Sequence, residues 1–194
     1  MGSAPIQIGL LLVNAIAGFF LFVVLLRFLL QAVRADFYNP LSQFIVKATN
    51  PLIIPLRKIV PGFGGFDVAA LVLLFLVEVV AIVFSLLMTG WPLPIVSILL
   101  WALLGSVGLF LKLYFWGLLI TVIVSWVAPQ SHNPALELLK QIIEPAMKPI
   151  RKMMPDMGGM DISPIIAFLV IQVFEILLIS VARETGAPNF IIGL

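Results

Sequence analysis

The sequence has no cysteine, a single histidine and little charge: nine acidic and eleven basic residues in 194. Without cysteine there is no disulfide, no thiolate metal ligand and no thiol nucleophile. One histidine, His132, is too few for an imidazole metal cluster or bis-histidine haem ligation within the chain. Charged residues make up 10% of the chain, against about 25% in an ordinary soluble domain, so water is not the solvent for most of this surface. In their place, 62% of the residues are hydrophobic and the mean hydropathy is +1.22. The apolar runs are continuous rather than short and alternating, which excludes a barrel and points to an all-α membrane protein. The N-terminus, MGSAPIQIGLLLVNAIAGFF, has no basic leader and its apolar run exceeds signal length, so no cleaved signal is expected.

A crossing needs about 20 apolar residues, and four spans satisfy that. The first covers residues 8–33 and the second residues 68–88, followed by the uncharged turn TGWPLP. The third apolar region, residues 95–127, is too long for one crossing. It is expected to split near GSVG, at Gly105–Gly108, into an interfacial piece and a span over residues 109–127. The fourth span covers residues 162–182. Arg34, Lys47, Arg57 and Lys58 flank or occupy the first long connector, and Lys140, Lys148, Arg151 and Lys152 the second. Lysine and arginine mark the cytoplasmic side, which predicts cytoplasmic connectors and periplasmic termini in a multi-pass protein of the bacterial inner membrane.

The connectors are copies of one another. Residues 39–67 align on residues 133–161 without a gap, with ten identities in 29 positions, where chance supplies about two. The identical pairs are Asn39/Asn133, Pro40/Pro134, Pro51/Pro145, Pro55/Pro149, Arg57/Arg151, Lys58/Lys152, Pro61/Pro155, Gly64/Gly158, Gly65/Gly159 and Asp67/Asp161. Each unit reads span, connector, span. Two parallel helical hairpins, residues 1–94 and 95–194, are therefore expected, related by an axis along the membrane normal.

Within a connector, Asn39 and Asn133 suit the helix N-cap, and Pro40 and Pro134 the first helical position. Leu41, Phe44, Ile45 and Ala48 share one face of the first helix; Leu138, Leu139, Ile142 and Ile143 share one face of the second. Both are expected to be short amphipathic helices lying at the interface. Pro51 and Pro145 are expected to end them, with Pro55 and Pro149 starting a further turn that carries the basic pairs Arg57-Lys58 and Arg151-Lys152. Gly64-Gly65 and Gly158-Gly159 permit positive φ, and Asp67 and Asp161 suit the N-cap of the following span. Caps and turns account for most of the identities as architecture alone. The basic pairs are additionally candidates for binding anionic headgroups or a partner protein.

The stretch RADFYNPLSQFIVKATNPLIIPLRKIVPGFGGFD closely resembles the signature of the YggT family, also called the YlmG family, and the second connector resembles its second copy. The second copy is weaker, with Leu136 and Glu144 where the first has Ser42 and Asn50. The resemblance covers nearly the whole chain. It implies a small bacterial inner-membrane protein with plastid relatives. It also implies links to osmotic-shock tolerance, to division-associated gene neighbourhoods, and in plastids to cytochrome assembly or nucleoid distribution. No mechanism comes with it.

Four ionisable residues fall inside the spans: Arg27, Glu78, Lys112 and Glu175. Such residues are costly in lipid and are usually paired or functional. Counting about 1.5 Å per residue, the depths allow Arg27–Glu78 and Lys112–Glu175 ion pairs, one per unit. These would lock the hairpins together; a polar pathway for ions or protons, or snorkelling to an interface, are the other readings. His132 beside a cap reads as a polar loop residue. Trp91, Trp101, Trp116 and Trp126 read as interfacial belts or packing.

Three classes of function compete. An enzyme lacks support: there is no nucleophile–base set, metal cluster or phosphate loop, and no cofactor is expected. A channel or transporter component for osmotic adaptation draws on the intramembrane charges, but four spans leave little room for an aqueous path, so it requires a homo-oligomer. The preferred reading is a noncatalytic scaffold or assembly factor, linked to osmotic tolerance or envelope and division organisation. Its basic face would engage anionic membrane lipids or another membrane protein. Direct binding of nucleic acid is not expected, because acids nearly match bases in the connectors.

Overall fold

The computed structural model describes residues 4–128, 130–131, 133–154 and 161–194. Six helices follow in order: α1 (Ala4–Ala32), α2 (Pro40–Arg57), α3 (Val68–Thr89), α4 (Ile95–Val127), α5 (Pro134–Met153) and α6 (Ser163–Glu184). Four of them, α1, α3, α4 and α6, are long and apolar enough to cross a membrane. Much of their apolar surface faces outward, as at Ile16, Phe19, Val80 and Ile176. In water that surface would drive aggregation, and in lipid it costs nothing. The chain is an all-α, multi-pass membrane protein.

The spans pack in the order α1, α3, α4, α6, with α2 against α1 and α3, and α5 against α4 and α6. The main core joins Leu21, Leu25, Leu74, Ile53 and Ile142, so both connector helices contribute to it. The turn after α3 is a Schellman motif: Gly90 takes φ 70°, its N–H donates to Leu87, and Trp91 N–H donates to Leu86.

The third apolar region differs from expectation: α4 is one continuous helix of 33 residues. Gly105 and Gly108 do not break it. A helix tolerates single glycines at a cost of about 1 kcal/mol each, and here the missing side chains make room for residues 191–194. A Cβ on Gly105 would lie 2.6 Å from the Ile192 carbonyl oxygen, and one on Gly108 would overlap Gly193. At about 50 Å, α4 exceeds the hydrocarbon core of about 30 Å, so it must tilt or project beyond it.

Neither do Pro51 and Pro145 end the connector helices. α2 runs through Pro51 and Pro55, and α5 through Pro145 and Pro149. In each helix the two prolines stand four residues apart on the exposed face. The carbonyls they orphan, four residues earlier, open on that same face and need no internal donor. The face of α2 also differs in part. Ser42, Ile45, Thr49 and Ile53 pack inward, while Leu41, Phe44 and Ala48 are exposed. For α5 the expected face does pack, with Leu138, Ile142 and Ile143 buried and Leu139 against them.

Candidate functional site

The two connectors meet at one end of the bundle. Asn39 accepts from Leu41 N–H at 3.0 Å, and its amide donates to the Pro134 carbonyl at 2.8 Å. Asn133 accepts likewise from Ala135 N–H at 2.9 Å. Pro40 and Pro134 open α2 and α5 as the pattern predicts. One cap therefore starts a helix and also ties the first connector to the second.

The re-entry from α2 into α3 is a two-residue hairpin. Phe63 and Phe66 exchange backbone hydrogen bonds, while Gly64 (φ 61°) and Gly65 (φ 88°) take the left-handed positions between them. Both central residues of this turn need positive φ, which glycine supplies without a Cβ clash. Gly158 and Gly159, the corresponding pair, lie outside the described residues, as does His132.

Asp67 follows and caps α3, accepting from Ala70 N–H at 3.4 Å. Its carboxyl is 1% exposed and is held by Arg57, Nη2 to Oδ2 at 2.6 Å and Nε to Oδ1 at 3.2 Å. Arg57 Nη2 also donates to Gln31 of α1 at 2.9 Å. Arg27 comes within 3.9 Å of Asp67. At the second connector Arg151 holds Asp161 at 3.1 Å and Glu144 at 2.7 Å, with all three side chains partly exposed. Contrary to expectation Asp161 is not the N-cap of α6: the helix starts one residue later, after Ile162, and Asp161 instead accepts from the Ser163 N–H and hydroxyl. That hydroxyl, then the backbone N–H and the Arg151 charge, hold the Asp161 carboxyl below the ordinary carboxylate range against some desolvation.

The two basic pairs are thus divided by role. Arg57 and Arg151 are committed to internal carboxylates, whereas Lys58 and Lys152 are exposed.

Neither of the ion pairs expected within the spans forms. Arg27 turns to Asp67 instead of Glu78, because the N-cap carboxylate lies nearer the end of α1. Lys112 donates to the Leu194 carbonyl at 3.0 Å, and Glu175 accepts from Gln172 one turn away. Glu78 is fully buried. Its oxygens lie against Gly105 and face the backbone of Ile192, without a well-formed hydrogen bond. Residues 187–194 thus fold back between the spans, where Ile191 joins Ile82, Leu86, Trp101 and Ala102. Among the tryptophans, Trp101 is buried and donates to Thr185 at 3.3 Å, while Trp91, Trp116 and Trp126 are exposed.

Sequence reasoning missed Gln31 and the returning C-terminal segment. Gln31 had a signal, since Arg27, Gln31 and Arg34 recur at i, i+4 and i+7 on one helical face. The segment had none beyond the helical glycines that receive it.

The CCB3/YggT family model matches residues 6–88 and residues 100–182. An uncharacterized protein of Pseudomonas aeruginosa is 48% identical over 181 residues, covering 92% of each chain. The uncharacterized protein YggT of Escherichia coli K12 is 39% identical over 176 residues, 90% of this chain and 91% of that one. An uncharacterized protein of Haemophilus influenzae is 33% identical over 161 residues, 83% and 86% of the two chains. No solved structure matches.

Proposed function

The chain belongs to the CCB3/YggT family, and on that premise we propose that it is a noncatalytic membrane scaffold or assembly factor, its connector face engaging anionic lipid or another membrane protein. In this reading it comprises two parallel span–connector–span units, residues 1–94 and 95–194. Both connectors are cytoplasmic and both termini periplasmic, in the bacterial inner membrane. The links to osmotic tolerance and to envelope or division organisation enter through the family resemblance alone. One observation carries the proposal: α2 exposes an apolar stripe of Leu41, Phe44 and Leu52, and the exposed Lys58 caps its C-terminal end. That pairing of apolar face and cation suits a membrane interface or a partner helix.

The fully buried, poorly partnered carboxyl of Glu78 favours a second reading, an oligomeric channel or transporter component. Potassium and proton flux in liposomes, with and without an osmotic gradient, separates the two. The scaffold reading expects no flux from folded protein. Flux that Glu78→Gln abolishes while the fold persists would replace it with the transport reading.

A further inference from the structure

Between the last turns of α1 and the inner face of α2 lies a cavity of about 300 Å³, lined on its polar side by Arg27, Gln31, Arg34, Ser42 and Arg57. Leu30, Ala35, Phe37 and Val46 form its apolar walls. We propose that this cavity binds a phosphate group, in the membrane that of an anionic phospholipid headgroup.

Two buried polar atoms of the lining residues make no hydrogen bond, Arg27 Nε approaching Asp67 only to 3.9 Å. Ser42 is 3% exposed and its hydroxyl makes no hydrogen bond; Arg27 is 8% exposed and its Nε makes none. Native interiors rarely leave such atoms unsatisfied, and a phosphate oxygen accepts from both kinds of donor. The charge balance agrees. Arg27, Arg34 and Arg57 face the cavity, whose described lining holds no acid; Asp67, bonded to Arg57 and close to Arg27, lies behind it. The lining is thus cationic and suits a ligand that presents several acceptor oxygens, and guanidinium is the side chain best matched to phosphate geometry. Arg34 ends α1 in the left-handed region (φ 53°), a position that glycine usually fills. A cation is kept at the rim where backbone geometry alone would favour glycine.

The duplicated sequence separates this cavity from architecture. At an offset of 94, Arg27 becomes Thr121, Gln31 becomes Ser125, Arg34 becomes Ala128 and Ser42 becomes Leu136. The caps, prolines and Arg–Asp bond recur in the second connector, so the fold uses them twice. The cavity's other polar residues occur once. The cavity also sits at the end of the apolar span α1, and its apolar walls suit the glycerol end of a lipid better than a bare ion. A flux result that overturned the scaffold reading would leave this inference standing, since it rests on the cavity alone.

The test uses the full chain in neutral detergent. Native mass spectrometry counts bound lipid, and thermal unfolding reads stabilisation, on adding phosphatidylglycerol, phosphatidylcholine or inorganic phosphate. Phosphatidylglycerol is expected to bind and stabilise, and phosphatidylcholine to do neither. Arg34→Gln and Ser42→Ala should each weaken binding, the arginine change by about tenfold, while melting in lipid-free detergent stays near wild type. The double change Lys47→Gln/Lys140→Gln, at exposed lysines outside the cavity lining, should bind as wild type. Inorganic phosphate that stabilises the protein and displaces phosphatidylglycerol supports the phosphate site and assigns it a soluble source. Pocket variants that bind lipid as wild type does, or lysine changes that weaken binding as much as Arg34→Gln, would overturn the proposal in favour of diffuse attraction to the basic surface.

Discussion

Arg57 grips Asp67 through two hydrogen bonds in a site where the carboxyl is 1% exposed, whereas Arg151 reaches Asp161 by one bond between side chains 44% and 49% exposed. The residue types and the spacing are the same, but the surroundings are not. Removing Arg57, itself 39% exposed, leaves the buried Asp67 charge with only Arg27 at 3.9 Å, while exposed pairs contribute under about 1 kcal/mol. Arg57→Ala should therefore destabilise by about 2–4 kcal/mol, and Arg151→Ala by less than about 1 kcal/mol. Denaturant unfolding of both variants in one detergent checks this. Equal losses would mean that burial of Asp67 does not set the cost.

Gly105 lies where Glu78 and the returning C-terminal segment converge. Gly105→Ala places a methyl 2.6 Å from the Ile192 carbonyl oxygen and 2.7 Å from Glu78 Oε1. The backbone cannot yield as a side-chain tip can, so the segment must move, at about 1–3 kcal/mol. Hydrogen exchange at residues 191–193 should accelerate. Gly117→Ala is the control, since it meets only the flexible ends of Ile143 and Leu139, and exchange in the segment should be unchanged.

The four spans, the caps at Asn39, Asn133 and Asp67 and the Gly-Gly turn at Gly64 were legible in the sequence because each depends on local rules: apolar length, cap chemistry and positive φ. Three features were not. The continuity of α4 depends on a segment more than 80 residues away that uses Gly105 and Gly108 as a groove. The continuity of α2 and α5 through two prolines depends on which face is exposed, which hydropathy in a connector this apolar does not fix. The partner of Arg27 depends on packing: depth arithmetic points to Glu78, and the long guanidinium side chain reaches toward Asp67 at the span end instead. Local chemistry could be read from the chain, and long-range contacts could not.

Asp161 gives a pH dependence with a definite sign. Hydrogen bonds from Ser163 and the charge of Arg151 lower its folded pKa below the ordinary 3.8. The unfolded carboxyl thus binds a proton first as pH falls, and the stability Asp161 contributes is fully present above about 3.8 and lost as pH drops through the folded value. Melting temperature measured from pH 6 down to pH 2.5 should show a steeper acid limb in wild type than in Asp161→Asn. Ser163→Ala should flatten that limb in part, because it removes the largest cause of the shift.

The absence of cysteine makes the orientation directly testable, since any introduced thiol is the only one in the chain. Lys58 and Lys152 are exposed at the connector end, and Leu93 is 45% exposed in the turn between α3 and α4. The lysines and arginines of the connectors predict that these face the cytoplasm, because translocating those cations opposes the membrane potential and the positive-inside bias. A membrane-impermeant maleimide added to intact spheroplasts should label Leu93→Cys and spare Lys58→Cys and Lys152→Cys, with the pattern reversed in inverted vesicles. Labelling of Lys58→Cys and Lys152→Cys on opposite sides would overturn the proposed parallel arrangement of the two units. Labelling of both from outside would keep that arrangement and invert the protein, leaving the phosphate cavity facing the periplasm.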